Sequence, residues 1–147
     1  MQRLTAGPLA DLASTRGADL WLDGAHNPHG ARALAQTAAD FAARDGRPVV
    51  FVLGPLARKD VAGIISALAA NRSKLITVGF QSDLAADPTA VADQARAFGL
   101  VAEACADVTA GVRLALSGEG PAPHVLICGS LYLAGEVLAL SPETLPR

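Results

Sequence analysis

The chain has 147 residues, of which 51% are apolar and 18% charged, and a formal net charge of −2. That length and apolar share are enough for one domain with its own core and exclude a disordered chain. The near-neutral balance argues against a nucleic-acid surface, and no apolar run approaches a bilayer span, so neither nucleic acid nor membrane is expected as a partner.

In chain order, residues 1–17 carry Gly7, Pro8 and Gly17, which interrupt any helical or strand period. The segment reads as the remnant of an interdomain connection, followed by one domain over residues 18–147. Asp19 to Asp23 is a short apolar run ending at a polar edge, and Asn27 followed by Pro28 reads as an N-cap with proline at the first helical position. The helix predicted from Pro28 to about Arg44 places Ala33, Leu34, Thr37, Ala38 and Phe41 on its apolar face, leaves Asp45 on its solvated side, and stops at Gly46. Pro48 to Leu53 is a continuous apolar run, as expected of a parallel strand covered on both faces. Asp60 caps a helix to about Asn71, with Val61, Ile64, Ile65 and Leu68 as its stripe.

Lys74 to Gly79 is the next strand, and Asp87 with Pro88 repeats the cap-plus-proline start of a helix that Gly99 closes. Leu100 to Ala104 is a short strand candidate, Thr109 to Leu116 a helix, His124 to Cys128 a buried strand, and Leu131 to Leu140 the last helix. Five strand-then-helix units predict an α/β, Rossmann-like fold, a mostly parallel sheet with helices on both faces. Cys105 and Cys128 fall inside strands, which suits small buried thiols and a reduced, cytoplasmic setting.

Open sheets of this kind bind ligands beyond the carboxyl ends of their strands, which directs attention to the loops DGAHNPHG, GPLARKD, GFQSDLAADP and GSLY. The first is the densest. Its helix start offers free backbone N–H groups to an anion, His26 adds a donor for a carboxylate, and Asp23 accepts from sugar hydroxyls or an ammonium. His29 lies in the same turn. Asn27 and Pro28 are equally explained as a helix start, and Ser130 as an N-cap or as a ligand contact. Arg58 and Lys59, with Asp60 behind them, are either solvated charges or partners for a carboxylate or phosphate.

Absences narrow the chemistry. No GxGxxG follows a strand and no GxxxxGK[ST] occurs, so a dinucleotide fingerprint and a phosphate-cradling P-loop are both missing. No His or Cys pair has metal-ligand spacing, and Asp23, His26 and Ser130 lack the GxSxG elbow of a hydrolase.

The strings LDGAHNPHGARAL (22–34), VLGPLARKDVAGII (52–65) and CGSLYLAGEVL (128–138) together resemble the C-terminal domain of folylpolyglutamate synthase and bifunctional dihydrofolate synthase, in the Mur ligase superfamily. The resemblance runs in order over nearly the whole chain. It implies an ATP-dependent ligase joining L-glutamate to folate or dihydropteroate through an acyl phosphate, with ATP and Mg²⁺ held mostly by an N-terminal P-loop domain that is the partner of this one. It also implies that Asp23 helps hold ATP, that His26 and Ser130 bind glutamate, and that Asn27, Lys59 and Asp60 are accessory, with no metal ligand here. The family's connecting arginine would precede Met1, and Arg3 is offset from it, so the resemblance implies a fragment inactive alone. A freestanding flavodoxin-like small-ligand module and a non-catalytic interaction domain are the alternatives.

Overall fold

The computed structural model describes residues 1–70 and 73–140. Among the described residues six strands and six helices alternate: β1 (Gln2–Arg3), α1 (Pro8–Arg16), β2 (Asp19–Leu22), α2 (Pro28–Asp45), β3 (Val49–Leu53), α3 (Val61–Ala69), β4 (Lys74–Val78), α4 (Pro88–Ala97), β5 (Ala102–Cys105), α5 (Val108–Leu116), β6 (His124–Cys128) and α6 (Leu131–Ala139). They form one sheet of order β1-β2-β6-β3-β4-β5, in which β2 to β5 and β6 run parallel and only β1 is antiparallel. The expected mostly parallel α/β architecture is therefore observed.

The two faces of the sheet follow from the two-residue strand period. Phe51, Leu53, Leu75, Leu126 and Cys128 pack on one side with the apolar stripes of α2, α3 and α4. Leu20, Val50, Val52, Ile76, Val125 and Ile127 pack on the other with α1, α5 and α6. Because β3 and β6 are buried along their whole length, they can be apolar at every position.

Residues 1–17 differ from expectation, since they contain β1 and helix α1 rather than an irregular connection. Gly7, Pro8 and Gly17 are the punctuation of α1. Pro8 opens it where no N–H is needed, and Gly17 closes it in the left-handed region at φ 71°, its N–H donating to the carbonyls of Ala13 and Ser14. Leu9, Ala10 and Ala13 bury the helix against the sheet. Smaller shifts have equally local causes. On α2 the buried positions are Ala31, Leu34, Ala35, Ala38 and Phe41, while Ala33 is exposed. β5 begins two residues later than expected because the Leu100 N–H still closes α4 on Ala95 O at 3.1 Å. The expected end of α3 at Asn71 lies outside the described residues, and α3 is described to Ala69.

Asp45, exposed as expected on the solvated side of its helix, also joins a polar clasp at the amino ends of the strands. Arg47 donates to Asp19 Oδ2 (2.9 Å) and to the carbonyls of Ala122 (2.7 Å) and Pro123 (3.2 Å). His124, 4% exposed, lies between two carboxylates, with Nε2 at 2.8 Å from Asp45 and Nδ1 at 3.6 Å from Asp19. These contacts tie β2, β6 and the start of β3 together and so help fix the register in which all three reach the other edge. Among the described residues no helix is long and apolar enough to cross a membrane.

Arg47→Ala removes the donors from two strand-edge carbonyls and one carboxylate, and is expected to destabilise the fold by about 2–3 kcal/mol, read as a lower denaturant midpoint at unchanged slope. The backbone N–H of Arg47, first, and then the side chains of His124 and Arg47 hold the Asp45 carboxyl below the usual carboxylate range. A group whose folded value is depressed stabilises above its unfolded value and loses that contribution as pH falls through the folded one. Asp45→Asn should therefore flatten the acid limb of a stability-versus-pH curve. An acid limb identical to the wild type would contradict this.

Candidate functional site

The site is built where β2, β6 and β3 end side by side. The Asp23 N–H continues the ladder to Ile127 O, Gly129 N–H donates to Ala25 O, and Gly54 N–H donates to Cys128 O, each at 2.9 Å. The turns after the first and last long strands are thus joined by backbone bonds, with the turn after β3 joined to them in the same way. Each turn feeds a helix, so the amino ends of α2, α6 and α3 converge on one edge and favour anions there.

Glycines permit this crowding. Gly129 has φ 120°, and a Cβ on it would lie 2.8 Å from the Gly54 carbonyl carbon. A Cβ on Gly24 would meet Leu131 Cδ2 at 2.8 Å, and one on Gly63 would collide with the Asp60 carboxylate and approach Pro28 Cγ at 2.8 Å. The last contact brings the start of α3 against the start of α2.

The residues singled out from sequence divide by environment. Asp23 is half-buried. Its Oδ1 accepts from the Ala25 N–H at 2.8 Å, closing an Asx turn, and Oδ2 lies 3.6 Å from the Met1 amino nitrogen. His26 is half-buried and Lys59 is half-buried, and neither the imidazole nor the ammonium has a side-chain partner among the described residues. His29 and Arg58 are exposed on the same edge. Asn27 caps α2 by accepting from Gly30 N–H at 2.8 Å, and Asp60 caps α3 by accepting from Gly63 N–H at 2.9 Å.

Ser130 is 1% exposed, and its Oγ accepts from Leu133 N–H at 3.0 Å, which caps α6. Its hydroxyl proton is what it has left to offer a ligand. Beneath the site, burial first and the Asp23 charge second push the Cys128 thiol upward, so it stays a neutral buried thiol rather than a nucleophile.

Several features of this edge were not expected from sequence. The loops after β3 and β4 pair as a short antiparallel ribbon, with Ala57 N–H to Leu84 O at 2.9 Å and Ala86 N–H to Pro55 O at 3.0 Å around a Leu56–Ala85 bridge. Glu136 of α6 accepts from the Gln81 N–H at 2.9 Å, and Phe80 stacks on Tyr132 with ring centroids 6.4 Å apart. These pairings are long-range and leave no local signal beyond the aromatic residues themselves. Clefts of about 580, 330 and 10 Å³ lie elsewhere: the largest borders Arg47, Lys74 and Leu114 at the amino edge, and the other two border α1. None is lined by a residue of the turns after β2, β3 or β6. We place the site at the carboxyl edge all the same, because the convergent helix starts and unpaired basic groups are there.

Residues 11–131 match the family model described as Mur ligase, glutamate ligase domain. Among solved structures, the chain is similar to Mycobacterium tuberculosis folylpolyglutamate synthase complexed with ADP and AMPPCP, at 31% identity and TM-score 0.70, over 83% of this chain and 29% of that one. It is also similar to the bifunctional folylpolyglutamate synthase/dihydrofolate synthase of Yersinia pestis complexed with AMPPNP and Mn, at 28% identity and TM-score 0.68, over 82% and 28%. A bifunctional enzyme of that name with Mn, AMPPNP and L-glutamate bound matches at 28% identity and TM-score 0.67, over 83% and 28%. The chain therefore spans under a third of the length of each of these relatives. No curated protein sequence matches it.

Gly129→Ala places a Cβ against the Gly54 backbone at a positive φ, and should cost on the order of 3 kcal/mol. Thermal unfolding of the purified variant checks this, and a Tm equal to the wild type would show that the β3 and β6 turns are not packed as described.

Proposed function

We propose, because the chain belongs to the Mur ligase family as a glutamate ligase domain, that it is the amino-acid-binding domain of an ATP-dependent ligase joining L-glutamate to folate or dihydropteroate. The observation that carries this reading is the adjacency of the turns after β2 and β6, which puts Asp23, His26 and the Ser130 turn on one edge with three helix starts. The relatives' bound nucleotides and L-glutamate support it.

In the reaction, ATP transfers its terminal phosphoryl group to the substrate carboxylate, giving an acyl phosphate and ADP. The glutamate amine then attacks the acyl carbon, its nitrogen loses a proton, and the bond to the departing phosphate breaks. The contribution of this domain is binding and orientation. The helix starts and His26 hold a carboxylate of the incoming amino acid, and the Ser130 hydroxyl donates from its buried cap. Asp23, a carboxylate, is chemically unsuited to a phosphate and suited to accept from the hydroxyls of a ribose, with Oδ1 engaged by the Ala25 N–H and Oδ2 3.6 Å from the Met1 amino nitrogen. Lys59 adds positive charge at the rim, and Asn27 and Asp60 act indirectly by fixing the helix starts.

Among the described residues no group of three or more His, Cys, Asp or Glu side chains is placed to hold a metal ion. In this reading Mg²⁺ and the phosphates of ATP are held by the partner, the N-terminal P-loop domain that the family resemblance implies. When bound, the metal supplies charge neutralisation at the transferring phosphoryl group.

Two outcomes follow. The isolated chain should show no glutamate-dependent ADP release, and sustained release from pure material would refute the assignment of nucleotide handling to another domain. In a chimaera where this chain replaces its counterpart in the M. tuberculosis enzyme, His26→Ala should raise the KM for glutamate about tenfold or more at unchanged Tm, since a charge-assisted hydrogen bond is worth roughly 1.5–3 kcal/mol. An unchanged KM would remove His26 from the glutamate site.

A further inference from the structure

The outermost strands of an open sheet present unpaired backbone groups to any strand that reaches them, and a protein has to blunt or cover both. Here those strands are β1 and β5. β1 is two exposed residues long, too short to seat a partner strand. β5 has four residues, with Val101 69% exposed just before it and Phe98 47% exposed at the end of α4. It contains no proline, and among the described residues no strand lies outside it.

The register identifies the backbone groups of β5 that are left over. Leu75 N–H donates to Val101 O at 3.0 Å and Thr77 Oγ1 donates to Glu103 O at 3.5 Å, so Val101 and Glu103 turn their backbone groups toward β4. Successive residues of a strand point theirs in opposite directions, which leaves those of Ala102 and Ala104 facing outward. One of these groups is already taken. Arg96 Nε donates to Ala102 O at 3.1 Å, and Nη1 of the same guanidinium is fixed on Asp93 Oδ1 at 3.0 Å, one turn back on α4.

The strand best matched to this edge is its own copy, because a two-fold axis pairs the segment with itself antiparallel and lets one patch serve both sides. An axis through Glu103 sets Ala102 opposite Ala104 of the copy and uses every outward group, but it also sets the two Glu103 carboxylates against each other. An axis through Ala102 sets Glu103 opposite Val101 and avoids that repulsion. Both registers need the Ala102 carbonyl.

We propose that the β5 edge is a latent pairing surface for a second copy of this chain, and that Arg96 holds it shut by occupying the Ala102 carbonyl. Glu103 bars only the register centred on itself, and Lys74 Nζ, 3.3 Å away, offsets its charge, so the guanidinium carries most of the protection. β6, β3 and β4 stand between this edge and β2, and pairing here neither needs nor tests the ligase reading.

Sedimentation velocity over a concentration series, with the wild-type chain and two variants, is the test. Arg96→Ala frees the carbonyl for a partner strand and should dimerise about tenfold more tightly than the wild type, with the Tm of the dilute protein little changed. Adding Ala104→Pro, which removes an outward N–H and no internal one, should return association to the wild-type level. Equal association of Arg96→Ala and wild type would overturn the proposal. So would association that survives Ala104→Pro, which would place the contact on the exposed side chains of Phe98 and Val101 instead. If Arg96→Ala does not fold, hydrogen exchange at Arg96 Nε–H in the wild type decides: it should be about tenfold slower than at a free guanidinium, and exchange at the free rate would show that Ala102 O is unguarded.

Discussion

The structure depends on the last strand lying between the first two long ones. With β6 between β2 and β3, the turns at Asp23, Gly54 and Gly129 become neighbours although they lie far apart in the chain, and three backbone hydrogen bonds of 2.9 Å fix them to one another. In a parallel sheet every strand delivers its following helix to the same edge, so this insertion also gathers the amino ends of α2, α3 and α6. The partial positive charge there, with His26 and Lys59 beside it, favours an anion at this edge, which is the electrostatic support for the amino-acid-binding role proposed above. Little of the chemistry would survive a different strand order, even with every helix and strand intact.

The opposite edge shows how that order is held. Arg47 reaches Asp19 on β2 and the carbonyls leading into β6 from a position just ahead of β3, and His124 sits buried between Asp19 and Asp45. A polar cluster of this kind contributes little net stability compared with an apolar core, but it discriminates against a slipped register, in which Arg47 and the carboxylates would lose their partners and the buried His124 would lose its own. The arrangement is a division of labour: one edge secures alignment and the other carries the residues of the proposed site. The cleft of about 580 Å³ belongs to the first edge, which is why its size says little about function.

Much of this was legible in the chain itself. The apolar runs VVFVL and HVLIC, the cap-plus-proline starts at Asn27 and Asp87, and the stops at Gly46 and Gly99 specify strands and helices by local chemistry alone, and their alternation specifies the sheet. The same signals at Gly7, Pro8 and Gly17 were readable as interruptions because α1 has only Leu9, Ala10 and Ala13 to mark a buried face. Asp45 was read as solvent-facing, which it is, but its partners Arg47 and His124 had no local signal because they are recruited by the sheet rather than by the helix. The Leu56–Ala85 ribbon and the Glu136–Gln81 bond were out of reach for the same reason, since tertiary pairing of irregular loops leaves no period to find. The motifs singled out candidate residues, and the structure supplied what motifs cannot: Ser130, Asn27 and Asp60 spend their side chains on capping, while those of His26 and Lys59 have no partner among the described residues.

An amide NMR titration of the isolated chain with L-glutamate and with ATP, carried to millimolar concentration, tests the convergence of the three turns most directly. The account predicts shifts appearing together at residues 23–30, 54–60 and 129–133, with the amino-edge cleft around Arg47 and Lys74 silent. Shifts confined to that cleft, or to one turn without its neighbours, would contradict it.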